Sequence, residues 1–278
     1  MSLKTPKKIG IIGLGLIGGS LLKALQGKEY ELFAATRNQN SINSILENNL
    51  AKEASSDISI LKNMDVIFVA TPIDYTIKTI EEAFKIAPDA LFCDLASVKG
   101  FILDFANTNP QLNFIGLHPM AGTEHQGFEH SSKNMFDGSN WAVIPSNFTK
   151  KSSIDWICTF IKNINANPIF CTAKEHDLAV SEISHFPMIL AQVLFSQTEN
   201  PLSKKLASSG FRDMTRLAMS NEKMAQDMLK YNKTAIKETF EKFNKNLSFF
   251  IDFYEKMPLF EIKQNRQQMY SKDGKNIL

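Results

Sequence analysis

The sequence has little cysteine, almost no charge imbalance and no long apolar run. Its three cysteines, Cys93, Cys158 and Cys171, form no CxxC pair. An odd, scattered set excludes a disulfide framework and a zinc site of the paired-cysteine kind, and it fits a reducing cytoplasm. Thirty-one basic residues against 29 acidic leave a net charge of +2. That balance gives no electrostatic footprint for nucleic acid or an anionic membrane surface. No apolar run reaches the ~18 residues of a membrane span, so neither nucleic acid nor a membrane is expected as a partner. What is present is ordinary for a globular chain, 44% hydrophobic and 22% charged. The length sets an expectation of about two domains, with a core large enough to need no staple.

In the first half, short apolar runs alternate with helical patterns. Ile9–Ile12, Glu31–Ala35, Val66–Ala70, Leu91–Leu95, Phe114–Leu117 and Trp141–Ile144 read as strands. Several lack polar alternation, as parallel strands covered on both faces do. Helical patterns occupy Leu16–Gln26, Ser41–Asn48, Tyr75–Ile86 and Val98–Ala106. The alternation predicts βαβ units and a doubly wound parallel sheet. A helix over Asn147–Asn167 and a short strand over Pro168–Cys171 complete this part. Thr172-Ala-Lys-Glu175 then has the form of a capping box. Beyond it only helical periods are visible, to about Lys256. We place a boundary near Thr172, with an α/β domain over residues 1–172 and an all-α domain over 173–278. Gln264 to Leu278 is polar and expected to fray.

Gly13-Leu14-Gly15-Leu16-Ile17-Gly18 is G-x-G-x-x-G between a strand and a helix, the context that gives the motif meaning. Gly13 permits the turn, Gly15 lets a pyrophosphate approach, and Gly18 allows close helix–strand packing, while Leu16 and Ile17 open a helix whose free N–H groups face the phosphates. A dinucleotide-binding, Rossmann-type domain is the reading; a glycine-rich turn without a ligand is the alternative. Lys7 and Lys8 before the apolar stretch Ile9–Leu22 superficially resemble a signal peptide, but the five glycines of that stretch favour the loop. An NAD site usually carries an acid at the end of the second strand. Here that position reads Ala35-Thr36-Arg37-Asn38, and Arg37 suits a 2′-phosphate, so NADP is favoured over NAD. Thr71 and Pro72 follow another strand and are candidate walls for the nicotinamide, or simply a helix entry.

All five histidines fall between His118 and His185. His118 directly follows a strand, in Gly116-Leu-His118-Pro-Met-Ala-Gly122, and Ser97 holds the matching place in Asp94-Leu-Ala-Ser97-Val-Lys99. A histidine at a strand's carboxyl end, beside a nicotinamide, suits acid–base work on a substrate hydroxyl. No metal site is expected. His176 and His185 lie nine residues apart, ~900° around a helix and hence on opposite faces.

Together these segments carry a resemblance. The glycine loop, Asp94–Lys99, His118–Gly122 with Thr123-Glu124 and Gly127-Phe128-Glu129, Glu175-His176-Asp177, Ser184-His185-Phe186-Pro187 and Gly210-Phe211-Arg212-Asp213-Met214-Thr215-Arg216 resemble the prephenate dehydrogenases of tyrosine biosynthesis. The resemblance implies a Rossmann domain followed by a helical dimerisation domain, and hence a cytoplasmic homodimer. It implies His118 as the catalytic histidine, Ser97 as the active-site serine and Arg216 as the substrate-carboxylate arginine. It also implies substrate contacts from the helical domain, where Arg212, His176 and His185 are the candidates. Many members carry a second histidine where this chain has Met188, which leaves prephenate and arogenate both open as substrates. Arg212 and Arg216, spaced i, i+4, would share one helix face and offer two guanidinium forks to a dianion. Pro187 is expected to kink its helix. A lysine-centred β-hydroxyacid dehydrogenase built on Lys99 and a non-catalytic dinucleotide sensor are the competing readings.

Overall fold

A computed structural model describes residues 6–123 and 125–270. The chain falls into two compact units, residues 1–236 and 237–278. The first unit is built on an eight-stranded sheet in the order β3-β2-β1-β4-β5-β6-β7-β8. Its strands are β1 (Lys8–Ile12), β2 (Glu31–Ala35), β3 (Glu53–Ser55), β4 (Val66–Val69), β5 (Leu91–Asp94), β6 (Phe114–Pro119), β7 (Asn140–Pro145) and β8 (Asn167–Phe170). Strands β1 to β6 run parallel. Strand β7 pairs antiparallel with β6, and β8 follows β7 in parallel, so the sheet is mixed rather than wholly parallel. The helices α1 (Leu16–Ala24), α2 (Gln39–Glu47), α3 (Ile73–Ile86), α4 (Gly100–Asn107) and α5 (Lys151–Asn163) accompany it. Two buried apolar clusters form the core, one around Ile9, Ile11, Phe68, Cys93, Ile115 and Trp141 and one around Ile67, Phe92, Val98, Ile102 and Phe114. Successive strand residues alternate between the clusters, as burial of both sheet faces requires. The apolar stretch after Lys7 and Lys8 therefore forms β1 and α1 in the centre of this core.

Three sequence expectations shift. Helix α5 begins at Lys151, not Asn147, because Ser146 and Thr149 hold a polar turn before it. The three-residue strand β3 lacked an apolar signal. Residues up to Met269 in the polar tail are helical, while 271–278 lie outside the described residues.

The predicted capping box forms: the Thr172 side chain accepts from Glu175 N, and Glu175 returns a bond to Thr172 N. It starts α6 (Ala173–Val180), which runs through a π-helical turn at Ser181–His185 into α7 (Phe186–Ser196). Pro187 has no N–H and its ring crowds the preceding turn, so the wide turn before it is where the ladder adjusts. Within the 24-residue run Ala173–Ser196 an 18-residue window has mean hydropathy 1.5, enough by length and composition to cross a membrane, although polar residues interrupt it. Its polar residues His176, Asp177, Ser181 and His185 are all buried within the protein. Short helices α8 (Pro201–Leu206) and α9 (Ser209–Thr215) follow, then α10 (Glu222–Tyr231) and α11 (Lys233–Asp252), which passes from the first unit into the second. The second unit adds α12 (Leu259–Met269).

Candidate active site

The glycine loop separates its three tasks. Gly13 has φ +88°, and a Cβ there would sit 2.6 Å from the Ala70 carbonyl oxygen. A Cβ at Gly18 would overlap the Gly13 carbonyl oxygen. Both glycines are demanded by the chain's own packing. A Cβ at Gly15 would meet no protein atom within 4 Å. Glycine at that position answers no internal need, and it leaves the backbone open beside the N-terminus of α1. That helix has no side-chain cap, so Leu16 and Ile17 open it with N–H groups unspoken for by side chains. Gly13 N donates to Ala35 O at 2.9 Å, which joins the loop to the end of β2. There Thr36 N is tied to Ser55 O, and the exposed Arg37 lies 5.7 Å over the Tyr75 ring of α3. These residues fit a dinucleotide: an open cradle for phosphates and a cation at the second strand. Thr71 and Pro72 follow β4 next to Gly13, and the buried Thr71 hydroxyl has no partner among the described residues.

Ser97 stands beyond the carboxyl end of β5, and His118 is the next-to-last residue of β6; the two strands are adjacent and parallel. The loop after β1, Thr71, Ser97 and His118 thus line one edge of the sheet, where ligands of open α/β folds sit. His118 Nδ1 lies 2.9 Å from His176 Nε2, and His176 Nδ1 lies 2.8 Å from Asp177 Oδ1. Asp177 also accepts Lys99 N and Gly100 N, each at 2.8 Å, and so caps α4. A carboxylate held by two backbone donors accepts from a third. His176 therefore donates from Nδ1 and accepts at Nε2, and His118 donates from Nδ1. His118 Nε2 is left with its lone pair. Burial first, then the neighbouring His176, Lys99 and His185, hold His118 well below the usual imidazole range, so it is neutral at neutral pH.

Not every expected residue joins this group in the expected way. His176, expected as a substrate contact, is 3% exposed with one ring nitrogen on His118 and the other on Asp177. His185 sits in the π-helical turn with Nδ1 bonded to Asn232 and a buried Nε2 that has no partner among the described residues. Burial pushes its pKa down to about 4. Met188 is buried against Ala225 and Met228. Arg212 is exposed and paired with Asp213 at 3.3 Å. Helix α9 ends at Thr215, so Arg216 begins a tighter turn and the shared α-helical face does not form. Arg216 is exposed and bonds no described residue. Glu124 lies outside the described residues. No cluster able to hold a metal ion occurs among them. Asp177 and Asp94 were not among the site residues expected from sequence, and Lys99 entered only as the centre of a competing reading, because a buried charge is indistinguishable from a surface one in a single sequence.

Two family models cover the chain in order: prephenate dehydrogenase, nucleotide-binding domain, over residues 21–170, and prephenate dehydrogenase, dimerization domain, over 172–256. This chain belongs to the prephenate dehydrogenase family. It is 33% identical over 258 residues to the prephenate dehydrogenase of Lactococcus lactis, covering 87% of this chain and 69% of that protein. It is 32% identical over 244 residues to that of Bacillus subtilis, covering 83% of this chain and 66% of that protein. The chain thus spans about two thirds of the length of these relatives. Among solved structures, Synechocystis arogenate dehydrogenase superposes with a TM-score of 0.82 at 30% identity, over 93% of this chain and 97% of that one. Prephenate dehydrogenase from Aquifex aeolicus, solved with hydroxyphenyl propionate and NAD+, shares the fold, with a TM-score of 0.84 at 24% identity over 96% of this chain and 98% of that one.

Proposed function

We propose that this member of the family oxidatively decarboxylates prephenate to 4-hydroxyphenylpyruvate. The observation that carries the reading is the Asp177–His176–His118 chain, which leaves one neutral imidazole nitrogen at the sheet edge that holds the glycine loop. The substrate's ring hydroxyl sits between Ser97, a half-buried residue, and His118. His118 Nε2 takes the hydroxyl proton as hydride leaves the same carbon. A bound nicotinamide supplies the hydride acceptor. The carbonyl that forms withdraws the electron pair of the ring carboxylate bond, carbon dioxide departs, and the ring becomes aromatic. The electron pair ends on the former hydroxyl oxygen, which takes the proton back from His118 to form the phenol; until then His176 shares that proton and Asp177 balances the charge. A positioned base of this kind is worth roughly 10²–10⁴-fold.

Gly13, Gly15, Leu16, Ile17 and Gly18 hold the pyrophosphate in this reading, and Thr36, Arg37, Thr71 and Pro72 hold the adenosine and nicotinamide ends. NADP is preferred to NAD, supported by Arg37 and the missing acid at the end of β2. Arg216 receives a substrate carboxylate, with Arg212 beside it and His185 Nε2 on the substrate side. Residues 1–172 serve the cofactor, and 173–278 serve the substrate and a cytoplasmic homodimer.

Arogenate is the second substrate considered, because Met188 removes a histidine contact and is packed inside. The lysine-centred alternative fails on geometry, since Lys99 is fully buried with its ammonium engaged. The test is reduced-nicotinamide absorbance with prephenate, arogenate and a set of 3-hydroxyacids. The reading expects kcat/KM for prephenate to exceed that for arogenate at least tenfold. Turnover of the hydroxyacids alone, or of nothing, would overturn it.

A further inference from the structure

Beneath Ser97 and His118 lies an ion pair that the reaction as described does not use. Lys99 and Asp94 both have fully buried side chains. Lys99 Nζ bonds to Asp94 Oδ2 and donates to the Leu117 carbonyl at 2.8 Å. Asp94 Oδ2 also accepts Ala96 N at 3.0 Å. The backbone N of Lys99 donates to Asp177. One residue pair thus fixes four places: the end of β5, the loop that carries Ser97, the residue before His118, and the carboxylate behind His176.

The cost of this arrangement is visible. Asp94 Oδ1 is buried with no partner among the described residues. Burial pushes the Asp94 carboxyl up and the Lys99 ammonium down, each partly restored by the other. A buried pair of this kind is often no more stabilising than apolar residues of the same size. Stability therefore does not explain why both charges are here.

We infer that the Lys99–Asp94 pair is a positioning device for the reaction. It aligns Ser97 and His118 at the carboxyl ends of adjacent strands, and it sets the ammonium charge close beneath the base. The inference rests on the catalytic reading above, and it deepens that reading. The groups facing the pair and the base come from several elements: Asp94 and Cys93 of β5, His118 of β6, His176 and Asp177 of α6, and His185 of the π-helical turn. Among these groups the Lys99 ammonium, held charged by Asp94, opposes a second positive charge on His118, after burial and His176. Removing it makes protonation of His118 easier, and the acid limb of the pH profile moves to higher pH.

Lys99→Met alone leaves Asp94 as an unpaired buried carboxylate and risks the fold. The variant of choice is Asp94→Asn with Lys99→Met, which removes both charges at nearly constant volume. Two readings are taken on the full-length enzyme. First, selective labelling of the five histidines lets nitrogen NMR follow His118, assigned with His118→Asn, through a pH titration without substrate. In the wild type His118 stays neutral, with the proton on Nδ1, to below the usual imidazole range. In the double variant it takes its proton at higher pH. Second, with prephenate the double variant shows kcat at least tenfold lower and an acid limb at higher pH, with dinucleotide affinity within twofold of wild type. A folded double variant with an unchanged His118 titration and kcat within twofold would overturn the inference. Failure of the catalytic reading itself looks different: the wild type would leave nicotinamide oxidised, while the His118 titration would still respond to the pair.

Discussion

In the proposed reaction His118 acts through one nitrogen, and its neighbours decide which. Asp177 bonds His176 and His176 bonds His118, and the proposal makes the outer nitrogen the base. His118→Asn removes that base and keeps a donor to His176. Turnover should fall at least ~10²-fold with dinucleotide affinity unchanged; loss of dinucleotide binding instead would assign His118 to folding. Because its pKa is held well below the usual range, protonation should not compete near neutrality. The kcat/KM profile should stay flat to below the ordinary ~6.5 of histidine and fall only in more acid solution. Arg37→Ala should weaken NADP more than NAD in binding titrations; equal loss would remove the assignment to a 2′-phosphate. His118 and Ser97 were legible in the sequence because each stands at the carboxyl end of a short apolar run, although β6 extends through His118 to Pro119. The partners of His118 were not. His176 lies 58 residues away and Asp177 meets Lys99 across 78 residues, and a pattern of period 2 or 3.6 carries no information at that separation.

At the scale of elements, the glycine loop yields a contrast between two similar substitutions. Gly18→Ala forces a methyl onto the Gly13 carbonyl and should destabilise the fold, seen as a lower Tm. Gly15→Ala meets nothing in the protein. It should leave Tm near wild type while weakening dinucleotide binding at least tenfold; unchanged binding would show that nothing approaches the backbone there. The loop was readable because strand, glycine spacing and helix coincide within ten residues. The capping box at Thr172 was readable for the same reason, as its bonds are local. Strand direction was not: β7 is a short apolar run like β4, and only its place beside β6 reverses it. The arginine pair shows the opposite error. A local spacing predicted a shared helix face, but α9 stops at Thr215, between Arg212 and Arg216.

At the scale of the molecule, two properties follow from what is buried and what is not. His185 is buried neutral with a pKa near 4, so the unfolded chain binds a proton between about pH 6.5 and 4 that the folded chain refuses. Stability should therefore decline as pH falls through that window, by up to about 3 kcal/mol from this residue. His185→Gln should flatten the decline in Tm against pH; an unchanged slope would assign it to other groups. Exposed apolar side chains are numerous after Thr172, including Ile183, Phe195, Leu206 and Met219 in the first unit and Ile251 and Phe260 in the second. Such surface calls for a covering partner. With a matching dimerization-domain model over 172–256, a homodimer is the expected state, and a monomer by sedimentation at micromolar concentration would contradict it.

The central claim is that hydride loss and decarboxylation occur together on one substrate, with His118 as the base. The most direct measurement counts products. Purified protein is given prephenate and NADP+ or NAD+, and carbon dioxide, 4-hydroxyphenylpyruvate and reduced nicotinamide are quantified in the same reaction, for wild type and for His118→Asn. The account predicts equal amounts of all three from the wild type, formed at least ~10²-fold more slowly by the variant. Reduced nicotinamide without matching carbon dioxide, or equal rates from the two proteins, would contradict it.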